Sequence, residues 1–253
     1  MSEHYHVLPI TPGSVLKSLG DHTSFMISYA TTARSQYRFI EPIAERIAFD
    51  CGSYTYWRAV LALIDKRAIE KNPVNRDEID ALLHTDRDWQ PYYQWLEGKL
   101  CRPTSWAIVP DKIDAPSQMQ DALLLQWPFP KSRSAPVWHL HHPVNRLLHL
   151  LEQGWNRVCI GSAGEFRVIG TPQWFDRMNE VFSEIKAVYG DYPPPIHGLR
   201  MMRFLDQKYN WGFFSCDSSN VAQNHHRPQN DPPKMVLAIN RKQPKSRFVA
   251  PPR

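Results

Sequence analysis

Seven short runs along the chain are near-continuously apolar or β-branched and are bounded by turn-forming residues: Phe25–Ala30, Arg46–Asp50, Ser105–Asp111, Pro136–His141, Arg157–Ser162, Pro195–Leu199 and Gly212–Asp217. Runs that do not alternate with polar residues fit strands buried on both faces, as in a parallel sheet. Between most of them the apolar positions recur with a helical period, most clearly over Tyr56–Glu70, Gln118–Gln126, Pro143–Gln153, Pro172–Tyr189 and Met201–Lys208. Pro143 and Pro172 fit first-turn positions, where a missing amide hydrogen costs nothing. Gly154 and Gly190 fit the stops that follow a helix. Strand–helix alternation predicts a parallel α/β fold, a (β/α)8 TIM-type barrel, with Met235–Ile239 or an early segment as the eighth strand. The rival is a doubly wound sheet, but no G-x-G-x-x-G follows any strand. The long stretch 51–104 reads as a helical insertion over the barrel mouth, with a second helix at Arg76–Leu83 and an aromatic cluster of Trp89, Tyr92, Tyr93 and Trp95.

At 253 residues and 42% hydrophobic, the chain fits one barrel domain over 1–253. The longest purely apolar run, Ala59 to Ile64, falls far short of the ~20 residues that span a bilayer. The amino terminus has no apolar signal region. A soluble, cytoplasmic protein without a membrane partner is expected. The net charge of +5 is unevenly spread: no acidic residue follows Asp231, whereas Lys234, Arg241, Lys242, Lys245, Arg247 and Arg253 do, with prolines among them. Residues 231–253 therefore read as a basic, proline-rich tail, either laid along a phosphate backbone or simply solvated. The four cysteines are scattered with no C-x-x-C pair, which fits reduced structural thiols rather than a zinc site or a disulfide framework.

The polar residues at the strand ends change the picture more. The predicted strands end in Asp50, in Asp111, in His139 and His141, in Gly161-Ser162 with Glu165 just beyond, in His197-Gly198, and in Asp217. In a barrel these ends converge on the face where active sites are built. A single Asp after a strand is commonly only the cap of the next helix; the whole set is not so simply explained. Three clustered carboxylates serve either divalent-metal binding through oxygen or glycosidic bond cleavage, in which one attacks the anomeric carbon and another handles protons. His139 and His141, two apart on a strand, would face the same way and complete a metal site. Composition leaves these two chemistries open.

Six tracts occur in a fixed order: Phe49-Asp50-Cys51-Gly52-Ser53; Val109-Pro110-Asp111; Pro136 to His141; Val158 to Glu165; Ile196-His197-Gly198-Leu199-Arg200; and Ser215-Cys216-Asp217 continuing to Asn224. In these tracts the chain resembles the tRNA-guanine transglycosylase superfamily, and more closely its DNA-modifying branch, the DpdA-like 7-deazaguanine transglycosylases of phages and genomic islands. The resemblance implies exchange of guanine in DNA for a 7-deazaguanine base through a covalent intermediate on Asp217. It implies that Asp50 handles the proton and Asp111 reads the two donors on the purine edge. Gly161 and Ser162 would offer backbone amides to the base carbonyl, and His139, His141 and His197 would complete the substrate contacts.

The chain departs from the tRNA enzymes in three places. It lacks their C-x-C-x-x-C zinc module, it has Ser218-Ser219-Asn220 where they continue into P-T-R, and it carries His139 and His141 where they place a glutamine. These departures favour DNA as partner, with tRNA as the alternative acceptor, and imply neither cofactor nor metal. Two other readings stay open: a non-catalytic nucleic-acid-binding subunit, motivated by the changes after Asp217, and a metal-dependent barrel hydrolase. Arg34 and Arg38 are candidates for phosphate contact. The aromatic cluster in the insertion serves either packing or stacking on an extruded base. Glu165 serves as a substrate contact or a cap; His4, His6, His22, His84 and His149 read as surface or loop histidines.

Overall fold

The computed structural model describes residues 2–19, 22–70, 75–84, 86–206, 209 and 211–242. All its strands are parallel: β1 (Glu3–Val7), β2 (Thr23–Ser28), β3 (Ala44–Asp50), β4 (Ser105–Ile108), β5 (Ser134–Ala135), β6 (Val137–His139), β7 (Val158–Gly161), β8 (Ile196–Gly198) and β9 (Ser215–Ser218). Their order across the sheet is β5-β4-β3-β2-β1-β9-β8-β7-β6. β5 and β6 are one stave interrupted at Pro136, whose ring removes the amide hydrogen that a ladder needs. The first half pairs with β4, Ala107 opposite Ser134, and the second with β7, Val137 opposite Cys159. The Pro136 carbonyl still accepts from Cys159 N at 2.8 Å. The two ends of the sheet thus meet in a single segment, and the chain is a closed (β/α)8 barrel of eight staves.

The eighth stave is the early segment, β1, and not Met235–Ile239. That apolar run lies in a helix, α10 (Pro232–Asn240), with prolines in its first turn. A run of five apolar residues does not by itself distinguish a strand from a buried helix turn. Helix α10 packs against β1, so the segment read as a tail from Asp231 begins as part of the fold; residues 243–253 lie outside the described residues. His4 and His6 are consequently buried between β1 and α10. His4 Nε2 bonds to the Lys242 carbonyl at 2.9 Å and His6 Nε2 to Asn240 Oδ1 at 3.2 Å. Burial pushes both imidazoles down to about 4, so the surface reading of these two fails.

The other helices fall near their expected places: α3 (Ser53–Ile69), α4 (Arg76–His84), α6 (Ser117–Leu125), α7 (Val144–Glu152) and α8 (Pro172–Tyr189). The Met201–Lys208 stretch instead forms only a short 3-10 turn, Met202–Phe204, its last two residues lying outside the described ones. In the insertion, α5 (Gln90–Leu96) brings Tyr92 and Trp95 onto the outer face of β3, with Trp95 edge-on to Phe49 at 5.3 Å. The Tyr92 hydroxyl donates to the carbonyls of Phe49 (3.2 Å) and Ile108 (2.9 Å). The aromatic cluster is therefore mainly packing that anchors the insertion to two staves.

Inside the barrel, Tyr5, Trp106 and His197 fill the middle. Trp106 Nε1 donates to Tyr5 Oη at 2.8 Å, and the Trp106 and His197 rings stand 5.1 Å apart. Beneath them Arg157 is buried against Glu3 (2.7 Å).

Above, Gly52 turns the chain from β3 into α3 with φ of +86°, and a Cβ there would lie 2.3 Å from Ala30 Cβ. Gly52→Ala combines a left-handed backbone penalty with a steric clash. It should cost roughly 2–4 kcal/mol, read as a lowered denaturant midpoint in equilibrium unfolding; an unchanged midpoint would show that this turn does not fix the top of β3.

Candidate active site

The carboxyl ends of the staves enclose a cavity of about 230 Å³. Asp50 from β3, Asp111 from the loop after β4, His139 from β6, Gly161 and Ser162 from β7, and Asp217 from β9 all line it. Three carboxylates separated by 61 and 106 residues of sequence (50 to 111, 111 to 217) meet here because β3, β4 and β9 end on the same face. Also on the wall are Ser28, Ser53, Tyr54, Arg200 and Ser219, which sequence reasoning did not single out. Ser53, Arg200 and Ser219 carried a signal only as members of the Asp50, His197 and Asp217 tracts; Ser28 and Tyr54 carried none.

Asp217 is buried and asymmetrically held. Its Oδ1 accepts from the Arg200 amide at 2.8 Å and faces His197 Nε2 at 3.2 Å. Its Oδ2 makes no hydrogen bond among the described residues, leaving one oxygen available to the cavity. The Arg200 amide is aimed by a left-handed backbone, φ of 61°. The Arg200 guanidinium lies over the Tyr54 ring, 4.1 Å from its centroid. These residues follow β8 and β3, staves with three others between them, so the pair bridges the cavity mouth. His197 itself does not line the cavity. It is fully buried behind Asp217, which makes it a support for that carboxylate and not the substrate contact expected for it.

Asp111 is engaged on both oxygens. Oδ2 bonds to His139 Nε2 at 2.8 Å, and the Cys51 thiol lies 3.7 Å from Oδ1. Ser53 Oγ donates to its backbone carbonyl at 2.8 Å. Gly161 has a role of its own in this pair: a Cβ there would fall 2.7 Å from His139 Nδ1, so the missing side chain is the room in which the imidazole lies. Ser162 turns its hydroxyl to accept from Trp174 Nε1 at 2.9 Å, and its amide has no backbone acceptor among the described residues. His141 is not on the cavity. The strand ends at His139 with a turn, His142 N donating to the His139 carbonyl at 2.9 Å, so the two-residue alternation does not extend to position 141. The His141 ring lies 4.2 Å from that of His142. Among the described residues no group of three His, Cys, Asp or Glu is placed to hold a metal ion.

Ser53, Asp111 and Ile113 also wall a second cavity of about 280 Å³ on the α3 side, bordered by Trp57, Arg87, Trp89 and Lys112. There Lys112 pairs with Asp86 at 2.5 Å and Arg87 lies over the Tyr56 ring. Arg34 stacks on Tyr29 and Arg38 on Phe39; neither lines either cavity. Glu165 lies in the 3-10 turn Gly164–Phe166 beyond β7 and is also absent from both walls.

No family model matches the chain, and no curated protein matches it. Among solved structures it is similar to a protein of Aquifex aeolicus VF5 (9% identity, TM-score 0.45, covering 91% of this chain and 95% of that one). It is also similar to a mutant tryptophan synthase alpha-subunit of Pyrococcus furiosus (10% identity, TM-score 0.41, 88% and 98% covered) and to a chain of Mycobacterium tuberculosis tryptophan synthase (13% identity, TM-score 0.41, 92% and 96% covered).

Burial raises the Asp50 carboxyl to about 6, and the charges of Asp111 and Asp217 push it the same way. A carboxyl whose pKa is higher in the folded chain than in the unfolded one binds its proton more tightly when folded. Its stabilising contribution is complete below about pH 4 and is lost as the pH rises through 6. Asp50 opens on the cavity, so the cost of its charge at pH 8 is about 1–2 kcal/mol after allowance for solvent there. Asp50→Asn should accordingly raise the thermal midpoint at pH 8 and leave it unchanged at pH 4. A gain of equal size at both pH values would show that burial does not shift this carboxyl.

Proposed function

We propose that this chain is a transglycosylase that exchanges guanine in DNA for a 7-deazaguanine base, with Asp217 as the covalent nucleophile. The observation that carries the reading is the meeting of Asp50, Asp111 and Asp217 in one cavity, each in a different environment. Glycosidic bond exchange with retention needs a carboxylate free to attack C1′ and a second acid–base group with a pKa nearer neutrality. Asp217 has one oxygen tethered by Arg200 N and His197 and the other unoccupied, which suits attack. Asp50, raised to about 6, suits proton transfer in both directions.

In this scheme the C1′–N9 bond of guanine breaks as the C1′–Oδ2 bond to Asp217 forms, and Asp50 gives its proton to the departing base. Guanine leaves. The incoming 7-deazaguanine then loses its N9 proton to Asp50 as its nitrogen attacks C1′, releasing Asp217. The two displacements restore the starting configuration. Asp111, kept in orientation by His139, offers the carboxylate edge that guanine's ring N–H and amino group require. The Ser162 amide offers a donor for the base carbonyl. Tyr54 and the Arg200 guanidinium supply flat faces at the mouth, which favour a planar base over an open-chain ligand. A base enters a cavity enclosed this way only after leaving its duplex stack, and a net charge of +5 favours a polyanionic partner.

The test combines guanine-containing duplex DNA, or tRNA in a parallel arm, with the protein and free 7-deazaguanine, followed by nucleoside mass spectrometry. Incorporation into DNA is expected, together with a denaturation-resistant protein–DNA adduct when the incoming base is withheld. Asp217→Asn should remove the adduct and lower exchange by at least a thousandfold while leaving the unfolding transition in place. Incorporation into tRNA alone would move the acceptor assignment, and no incorporation into either would remove the exchange reading.

A further inference from the structure

The barrel interior holds a line of hydrogen bonds that runs from its amino-terminal end to Asp217. Glu3 Oε2 is 2.7 Å from Arg157 Nη1 and 2.8 Å from the Tyr5 hydroxyl, and its other oxygen is 3.1 Å from Arg46 Nε. Arg157 Nη1 also donates to Ser215 Oγ at 2.8 Å. Ser215 Oγ lies 2.8 Å from His197 Nδ1, and His197 Nε2 lies 3.2 Å from Asp217 Oδ1. Ser215 and His197 are completely buried and Arg157 is nearly so; outside this line Arg157 Nε donates to Asn156 Oδ1 at 2.8 Å.

The direction of every proton in this line follows from the chemistry of its members. A guanidinium has donors only, so Ser215 Oγ must accept from Arg157. The serine hydroxyl then has one hydrogen to give, and the acceptor within reach is His197 Nδ1. An Nδ1 that accepts carries no proton, so the neutral ring bears its hydrogen on Nε2, facing Asp217. We infer that Glu3, Arg157 and Ser215 are positioning residues that fix His197 as the neutral Nε2–H tautomer and thereby keep a donor on Asp217 Oδ1, leaving Oδ2 as the attacking atom. This rests on Asp217 being the nucleophile, but the tautomer is a property of the free protein and is measurable without substrate.

The groups that face His197 are Glu3 and Tyr5 from β1, Arg157 just before β7, Cys159 from β7, and Asp217 from β9. Burial holds the imidazole below its ordinary value, and the hydroxyl bond to bare Nδ1 acts in the same direction because only the neutral ring accepts it. Removing that bond with Ser215→Ala should let His197 take a second proton more readily. Asp217 would then face an imidazolium, and its nucleophilicity would fall.

Nitrogen NMR of the protein labelled at histidine, with the His197 signals assigned by their loss in His197→Gln, reads the tautomer directly. The expected result is an unprotonated Nδ1 and a protonated Nε2 in the free protein. In Ser215→Ala, Nδ1 should gain a proton as the pH is lowered. Base exchange should fall about tenfold, the value of one buried neutral hydrogen bond, with the acid limb of the pH–rate profile moved to higher pH. A merely structural defect would depress the rate equally at all pH values and would overturn the inference. So would a proton on Nδ1 of the unaltered protein, whatever its activity. The expected tautomer in a protein that forms no adduct with DNA would uphold the line of bonds while removing the exchange reading on which its catalytic meaning rests.

Discussion

Closure of the sheet is the constraint from which the site follows. The stave that contains Pro136 gives its first half to β4 and its second half to β7, so no edge remains and every stave must end on the same rim. A parallel barrel has only two faces. Whatever chemistry is encoded at strand ends is therefore forced together, even from positions as remote in sequence as 50 and 217. Had β5 and β6 been separate strands on an open sheet, Asp111 would have stood near one edge and His139, with Gly161 beside it on β7, at the other. The observed bond between Asp111 Oδ2 and His139 Nε2, 2.8 Å long, therefore depends on the sheet being closed.

Closure also creates a difficulty that the interior resolves with polar groups. The middle of this barrel is not filled by aliphatic layers alone: Tyr5, Trp106 and His197 occupy it, with Arg157 and Glu3 beneath. Burying a guanidinium is costly unless its hydrogens are matched. Here Arg157 meets Glu3, Ser215 Oγ and the face of Trp106, 4.3 Å from that ring's centroid. Arg157 and Arg46 together hold the Glu3 carboxyl below its ordinary value although burial alone would raise it. Hydrophobic filling of the same volume would pack as well; it would not transmit an orientation to the rim.

The parts of this arrangement that sequence exposed were those with a local signature. Strand–helix alternation, the insertion and the convergence of Asp50, Asp111 and Asp217 are consequences of periodicity and of where polar residues stop an apolar run. β1 was harder to read, because Glu-His-Tyr-His-Val looks like a polar leader. Its glutamate turns inward to Arg157 and its histidines turn outward beneath α10, and both partners are supplied from far along the chain. His141 failed for the opposite reason: the two-residue rule holds only while the strand continues, and this one turns at His139. His197 reads from its tract as a rim residue, but its ring is fully buried among Tyr5, Trp106 and Ser215, none of which its local sequence announces. Tyr54 and Arg200 carry no pattern that marks them as a pair, since they meet only across the mouth.

Asp50 and Asp217 have the same side chain, and the difference between them is one of supply. At Asp217 a backbone amide and an imidazole nitrogen converge on one oxygen and fix the orientation of the carboxylate. At Asp50 the first effect is burial, with two more carboxylates across the cavity, and its charge is disfavoured. Because the three groups share one small volume, the charges of Asp111 and Asp217 make ionisation at 50 harder. The difference between the two carboxyls is therefore a property of the cluster and of whether a donor line stands behind the strand end. β9 has one, running down through Ser215 to Arg157. At β3 the donors are local, the Ser28 hydroxyl and the Gly52 amide, and they do not outweigh burial.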